Sequence, residues 1–117
     1  MPMYNSEKTV EAAIQSILSQ KHSNFSLVIV DDCSTDQSLA IARYFLKDPR
    51  VSVYQNTKNM GAYYSRNLGL YVSRNERWDY FTTHDADDIS LRNRYSVIMD
   101  EFSSKKNVIA VDRKSVV

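Results

Sequence analysis

Helix-periodic segments alternate with short β-rich runs along the whole chain, and this alternation restricts the fold more than any other feature of the sequence. Val10, Ile14, Ile17 and Leu18 stand at i, i+4, i+7 and i+8, with Ser6 as the expected cap and Glu7 in the first turn. Leu39, Ala42 and Leu46 form a second stripe, opened by Ser34 and Gln37 at capping-box spacing and closed by Asp48-Pro49. Tyr64, Leu68, Tyr71 and Val72 form a third after Gly61, and Leu91, Tyr95, Ile98, Met99 and Phe102 a fourth after Ser90. Between them lie Leu27 to Val30, Val51 to Tyr54, Tyr80 to Thr83 and Val108 to Val111. These runs are too short for helices, and two are almost wholly apolar, as strands buried on both faces are. The order predicts an α/β fold with a mostly parallel sheet flanked by helices. No strand precedes the first helix in this reading, so the expected sheet lacks its first strand.

Charge and cysteine usage narrow the function classes. The 117 residues carry 15 Lys and Arg against 14 Asp and Glu, a net charge of +1 with the basic residues scattered. That balance gives no electrostatic footprint for nucleic acid or an anionic membrane surface. No apolar run approaches the roughly 20 residues of a membrane span, and the first residues are not a secretory signal. Cys33 is the only cysteine, which excludes an intrachain disulfide and fits a reducing, cytoplasmic setting. With only Gly61 and Gly69, neither a Walker loop nor a GxGxxG dinucleotide loop can be built.

In open α/β sheets, ligands bind beyond the carboxyl ends of the strands. Asp31-Asp32 follows Leu27 to Val30 directly, and Asp85-Ala86-Asp87-Asp88 follows Tyr80 to Thr83 after His84. If both strand ends face one crevice, five carboxylates crowd together, and two such charges about 4 Å apart repel by roughly 4 kcal/mol at an effective dielectric near 20. A divalent cation with oxygen ligands, which also holds substrate phosphates, relieves that crowding. The competing reading takes Asp31, Asp32 and Asp36 as turn and cap residues. His84 reads as a packed or hydrogen-bonded imidazole, Cys33 as a small loop residue, and Lys105-Lys106 as a solvated helix end. The tyrosines at 63, 64 and 71 read as core and helix-face residues.

Five ordered segments resemble the family-2 glycosyltransferases, which have the GT-A nucleotide-sugar fold. They are Pro2-Met3-Tyr4-Asn5, Ala13 to Gln20, Val30 to Asp36, Asn59-Met60-Gly61 with Ser65-Arg66-Asn67-Leu68-Gly69, and Asp85-Ala86-Asp87-Asp88, which is similar to the family's DxD motif. The resemblance runs from Pro2 to about Val111. It implies that Pro2 and Tyr4 line the nucleotide pocket with the Tyr4 ring on the base, and that Asp32 accepts a hydrogen bond from the uracil N–H. Arg66 would pair with phosphate, Asp85 would face the ribose and diphosphate and join Asp87 at Mn²⁺ or Mg²⁺, and Asp88 would support that site or face the sugar.

The implied function is the donor-binding part of an inverting glycosyltransferase, taking a sugar from a nucleoside-diphosphate sugar, UDP-linked by expectation, to an acceptor hydroxyl of a glycan, lipid-linked or protein acceptor. Relatives enter Pro2 from an apolar strand and continue past Val111 into an acceptor half that carries the catalytic base. Residues 1–111 are therefore expected to be a partial donor-binding domain holding no catalytic base, and residues 112–117, unlike the family, a non-native tail. A sugar nucleotidyltransferase would need a glycine-rich N-terminal loop followed by Lys. A receiver-type signalling domain, with an acidic pair and Mg²⁺, would need a Lys at a later strand end and leaves the DxD unexplained. A noncatalytic nucleotide-binding module is the remaining alternative.

Overall fold

The computed structural model describes residues 1–105. At its centre runs Leu27–Asp31 (β2), buried along almost its whole length. It pairs in parallel with Pro2–Met3 (β1) on one side and with Val51–Gln55 (β3) on the other, giving the order β1-β2-β3. The register sets Met3, Asp31 and Gln55 in one row across the sheet. Tyr4, Asp32 and Asn56 therefore leave the three strands side by side at their carboxyl ends, which is where the candidate residues were expected.

The helices are Val10–Leu18 (α1), Ser38–Tyr44 (α2) with a 3₁₀ turn over Phe45–Lys47, Ala62–Val72 (α3) and Arg94–Ser104 (α4). Because side chains alternate across a strand, β2 divides its residues between two layers. Leu27 and Ile29 join Val10, Ile14, Ile17, Ala42 and Phe45 in one apolar cluster. Val28 and Val30 instead face α3, where a Cβ placed on Gly69 would lie 3.8 Å from a Val30 methyl. No side chain caps α1, so packing holds it: fully burying each of Val10, Ile14 and Ile17 is worth about 1.5–3 kcal/mol.

Several local expectations are corrected. A strand does precede α1, since Pro2–Met3 is in register with Val30 and Asp31. Ser6 serves α1 through its carbonyl, which accepts the Val10 amide at 2.9 Å, while its hydroxyl turns back to the Tyr4 carbonyl. At α2, Asp36 takes the role expected of Ser34, its carboxylate accepting the Ser38 amide at 2.9 Å. Tyr63, Tyr64 and Tyr71 lie on the outer face of α3 and none is core. Tyr80 to Thr83 is not a strand. Its neighbour in the sheet would be β1, which has two residues, one of them a proline without an N–H to offer. Instead the Tyr80 ring stacks on Phe102 at 4.4 Å, and the Thr83 carbonyl accepts from Arg94. Val108 to Val111 and Lys106 lie outside the described residues, whereas Lys105 is solvated and paired with Glu101 at 2.6 Å. Among the described residues, no helix is long and apolar enough to cross a membrane.

Arg50 joins three parts of the fold. Its Nε and Nη2 donate to both oxygens of Asp48 at 3.0 and 2.8 Å, Nη2 also reaches the Leu18 carbonyl at the end of α1, and the guanidinium lies 4.7 Å from the Phe25 ring. The hydrogen bonds from Arg50 hold the Asp48 carboxyl down at about 2, against an ordinary 3.8. A carboxyl depressed in the folded state stabilises the fold above its unfolded pKa and loses that contribution as pH falls through the folded one. Asp48→Asn is therefore expected to lower stability at neutral pH by about 1 kcal/mol, the upper end for a part-exposed pair. Urea midpoints of parent and variant should converge as pH falls from about 4 towards about 2; a gap that widens in acid contradicts the assignment.

Candidate functional site

An open cleft of about 630 Å³ lies at the carboxyl end of the sheet, and Pro2, Tyr4, Asp32, Arg66, Asp85 and Asp87 all line it. The loop after β1 forms its floor. There the segments 5–7 and 34–38 exchange side chains for backbone amides: Ser34 Oγ accepts the Asn5 amide at 3.0 Å, Asn5 Oδ1 the Thr35 amide at 2.8 Å, Asp36 the Glu7 amide at 3.1 Å and Glu7 the Gln37 amide at 3.0 Å. Asn5 and Cys33 sit at φ of 45° and 65° to make these turns. Asn tolerates the left-handed region; Cys33 occupies it at a cost of about 1–2 kcal/mol.

Asp32 is 3% exposed. One of its oxygens accepts from Asn56 Nδ2 at 2.8 Å and the Met60 amide at 2.7 Å, the other from the Gly61 amide at 2.8 Å. Burial pushes the Asp32 carboxyl up, and these hydrogen bonds outweigh burial and hold it below its ordinary value. Gly61 has a φ of 90°, so aiming its amide at Asp32 calls for glycine. The residue expected to read the base thus also anchors the loop that starts α3. An ionised carboxylate has about four acceptor positions; three are taken and one is left for a donor in the cleft.

Five crowded carboxylates were expected, and the structure corrects this. Asp31 lies on the core side of β2, fully buried, one oxygen accepting the Ser34 amide and the other without a protein partner. Asp31 and Asp88 do not line the cleft, and Asp88 donates its amide to the Asp85 carbonyl at 3.2 Å. Asp32, Asp85 and Asp87 do line it, joined by Glu7 and Asp36. Their charge is answered one residue at a time: Asp32, Glu7 and Asp36 accept backbone amides, and Asp85 pairs with Arg66 at 2.8 Å. Arg66, expected to meet phosphate, pairs with Asp85 in this structure. Among the described residues, Asp87 alone of these five makes no hydrogen bond or ion pair with the protein.

Among the described residues, no three His, Cys, Asp or Glu side chains converge to cage a metal. A two-carboxylate site still fits, because Mg²⁺-type cations are commonly held by one or two carboxylates plus substrate phosphates. Asp85 and Asp87 offer hard oxygen ligands on one open cleft. His84 is the packed imidazole expected: it is 6% exposed, and its Nδ1 lies 2.8 Å from the Asp85 carbonyl. A carbonyl only accepts, so Nδ1 carries the proton; burial lowers the His84 pKa and favours this neutral ring.

The sequence pattern described as glycosyl transferase family 2 matches residues 1–116. The chain belongs to this family. It is 33% identical over 106 residues to glycosyltransferase GlyG of Streptococcus pneumoniae, covering 90% of this chain and 34% of that one. The fold matches the crystal structure of S. aureus TarS in complex with UDP with a TM-score of 0.78, at 28% identity over 88% of this chain and 30% of TarS. The complex of TarS with UDP-GlcNAc gives 0.75. A mannosyltransferase of Pyrobaculum calidifontis, in complex with GDP-Man and Mn²⁺, shares the fold at 22% identity with a TM-score of 0.67, covering 81% of this chain and 28% of that one. The chain spans about a third of the length of the curated relatives it matches.

In this family-2 chain, four polar residues not assigned from sequence position the cleft. Asn56 and Ser65 link Asp32 to α3, with Asn56 Nδ2 3.0 Å from Ser65 Oγ. Ser16, on α1, and Gln20, two residues past its end, are both buried and hold the segment after the acidic turn. Ser16 Oγ accepts the Ser90 amide at 3.0 Å, while Gln20 donates to the Leu91 carbonyl at 2.7 Å and accepts the Tyr95 amide at 3.0 Å. Their signal was present as two polar residues four apart in the Ala13 to Gln20 segment. Gln20→Leu strands the Leu91 and Tyr95 backbone groups and is expected to cost about 1–3 kcal/mol. Urea unfolding measures that loss, and faster hydrogen exchange at Tyr95 localises it; unchanged exchange there overturns the anchoring role.

Proposed function

We propose that this chain is the donor-binding region of an inverting glycosyltransferase that moves a sugar from a nucleoside-diphosphate sugar, UDP-linked, to an acceptor hydroxyl. The observation that carries the reading is the convergence of Pro2, Tyr4, Asp32, Arg66, Asp85 and Asp87 on one cleft. Support for the uridine donor comes from the TarS complexes with UDP and UDP-GlcNAc. In this reading the half-exposed Tyr4 ring packs on the base, and the fourth acceptor position of Asp32 takes the uracil N–H. Arg66 turns to the diphosphate, where a guanidinium pairs bidentately with phosphate oxygens. Asp85 and Asp87 hold Mn²⁺ or Mg²⁺, with Asp88 behind them or towards the sugar.

A cation held there supplies Lewis-acid stabilisation of the departing nucleoside diphosphate. The protein's own contribution is to exclude alternative poses: the floor built by residues 5–7 and 34–38 is fixed by side-chain-to-backbone bonds, and Asp32 fixes the wall formed by Met60 and Gly61. None of the cleft carboxylates is assigned as the base that deprotonates the acceptor. Asp32 is bonded to the protein, and Asp85 and Asp87 are assigned to cation and donor. In the whole protein, the base is supplied by another residue, the donor-binding region is bounded at residue 111 and the enzyme works in the cytoplasm. The acceptor offers a hydroxyl of a glycan, lipid-linked or protein molecule.

Calorimetric titration of the chain with UDP, with and without Mn²⁺, tests the reading. UDP is expected to bind with Mn²⁺ and at least tenfold more weakly with chelator, and Asp87→Ala should remove that difference. Equal affinity with and without chelator would falsify the metal assignment. A second titration addresses Asp32: Asp32→Asn should weaken UDP binding by about 1–3 kcal/mol, the range for a hydrogen bond to a charged group. If its affinity equals the parent's, Asp32 only anchors the loop.

A further inference from the structure

The Arg66–Asp85 pair occupies both groups that the donor and its cation need. Arg66 lies on α3, behind the loop anchored by Asp32, and Asp85 opens the acidic turn; their 2.8 Å contact bridges the two walls of the cleft. Both side chains are part-exposed, at 31% and 51%, so the pair can exchange partners without unfolding anything. Among the described residues, neither Asp87 beside it nor Lys8, a second cation on the floor, makes a hydrogen bond or ion pair.

We infer that the Arg66–Asp85 ion pair couples the loading of the cation to the loading of the diphosphate, by holding each group against its ligand until both ligands are present. The inference rests on the donor-binding reading above. A cation arriving alone must take Asp85 from Arg66 and leave the guanidinium unpaired. A diphosphate arriving alone takes Arg66 and leaves Asp85 as a bare carboxylate beside its own charge. When both arrive, one protein pair is exchanged for two, Arg66 with phosphate and Asp85 with cation. No charge is then left unanswered. Such coupling is reciprocal by thermodynamic necessity, so each ligand raises the affinity of the other by the same factor.

This assigns opposite effects to variants that a simple ligand role would only weaken. Arg66→Ala should bind Mn²⁺ alone about 2- to 5-fold tighter, the equilibrium equivalent of an exposed ion pair released, and bind UDP with Mn²⁺ more weakly. Asp85→Asn should bind metal-free UDP tighter than the parent and UDP with Mn²⁺ more weakly. In both, the factor by which Mn²⁺ and UDP help each other falls. Lys8→Ala is the comparison, because it removes one positive charge from the same cleft without releasing a carboxylate; any gain in its Mn²⁺ affinity should be smaller than that of Arg66→Ala.

Titrating Mn²⁺ alone, UDP alone and UDP with saturating Mn²⁺ into the full chain and the three variants, at low ionic strength, decides the matter. Circular dichroism confirms that each is folded, and Arg66→Gln serves where Arg66→Ala is not. Arg66→Ala binding Mn²⁺ no tighter than the parent overturns the inference, as does an equal gain in Lys8→Ala, which would mean general electrostatics. A parent that ignores UDP in the presence of Mn²⁺ overturns the donor-binding reading instead, whatever Arg66→Ala does to Mn²⁺ alone.

Discussion

A buried carboxylate at the end of the central strand holds the cleft together. Asp32 donates its amide to the Met3 carbonyl at 2.8 Å, and its side chain accepts from Asn56, Met60 and Gly61. One residue thereby ties β1, the exit of β3 and the start of α3. An uncompensated charge at 3% exposure would be costly; two backbone amides and one carboxamide supply the compensation. The arrangement works only if the Met60 and Gly61 amides point inward, which the positive φ at Gly61 provides. The Asn-Met-Gly segment and the acidic residue at the end of β2 are two halves of one structure, though they are 28 and 29 residues apart.

The elements with strong periodicity were legible in the sequence, and the ones that depend on neighbours were not. The α1 limits are met by the Val10, Ile14, Ile17 stripe, and β2 by its continuous apolar run, because burial alone decides both. Tyr80 to Thr83 has strand composition, but pairs with no strand; its side chains and carbonyls find Phe102 and Arg94 instead. Tyr64 and Tyr71 fit a helical stripe, yet α3 approaches Val28 and Val30 of β2 at Gly69 and buries Ser65, so small residues face inward and the rings face out. Capping was misread where a side chain had a distant partner: Ser34 serves Asn5, 29 residues away, and leaves α2 to Asp36.

The candidate site was legible as a set of residues but not as a pattern of contacts. Strand ends and the family resemblance brought Pro2, Tyr4, Asp32, Arg66, Asp85 and Asp87 to one cleft, as found. What one sequence does not reveal is which carboxylates are already satisfied. Asp31 and Asp32 are adjacent, but strand alternation sends the first into the core and the turn sends the second to the loop amides. The predicted repulsion is relieved because most of these charges are paired separately.

The floor and the acidic wall of the cleft consequently differ in how they are held. On the side of β1 and β2, the contacts are backbone amides received by short side chains, with Asn5, Glu7, Ser34 and Asp36 bound reciprocally. Moving any of them breaks bonds on two segments at once. On the acidic side, the segment beyond the turn is fixed by Ser16 and Gln20, and across the cleft Asp85 meets the opposite wall through one part-exposed ion pair. An exposed pair of that kind contributes little and is easily exchanged. In the proposed donor-binding reading, shape selection of a flat group such as a base falls to the floor, whose bonds tie two segments, and adjustment to charge falls to the acidic wall, where a side-chain rotation is enough.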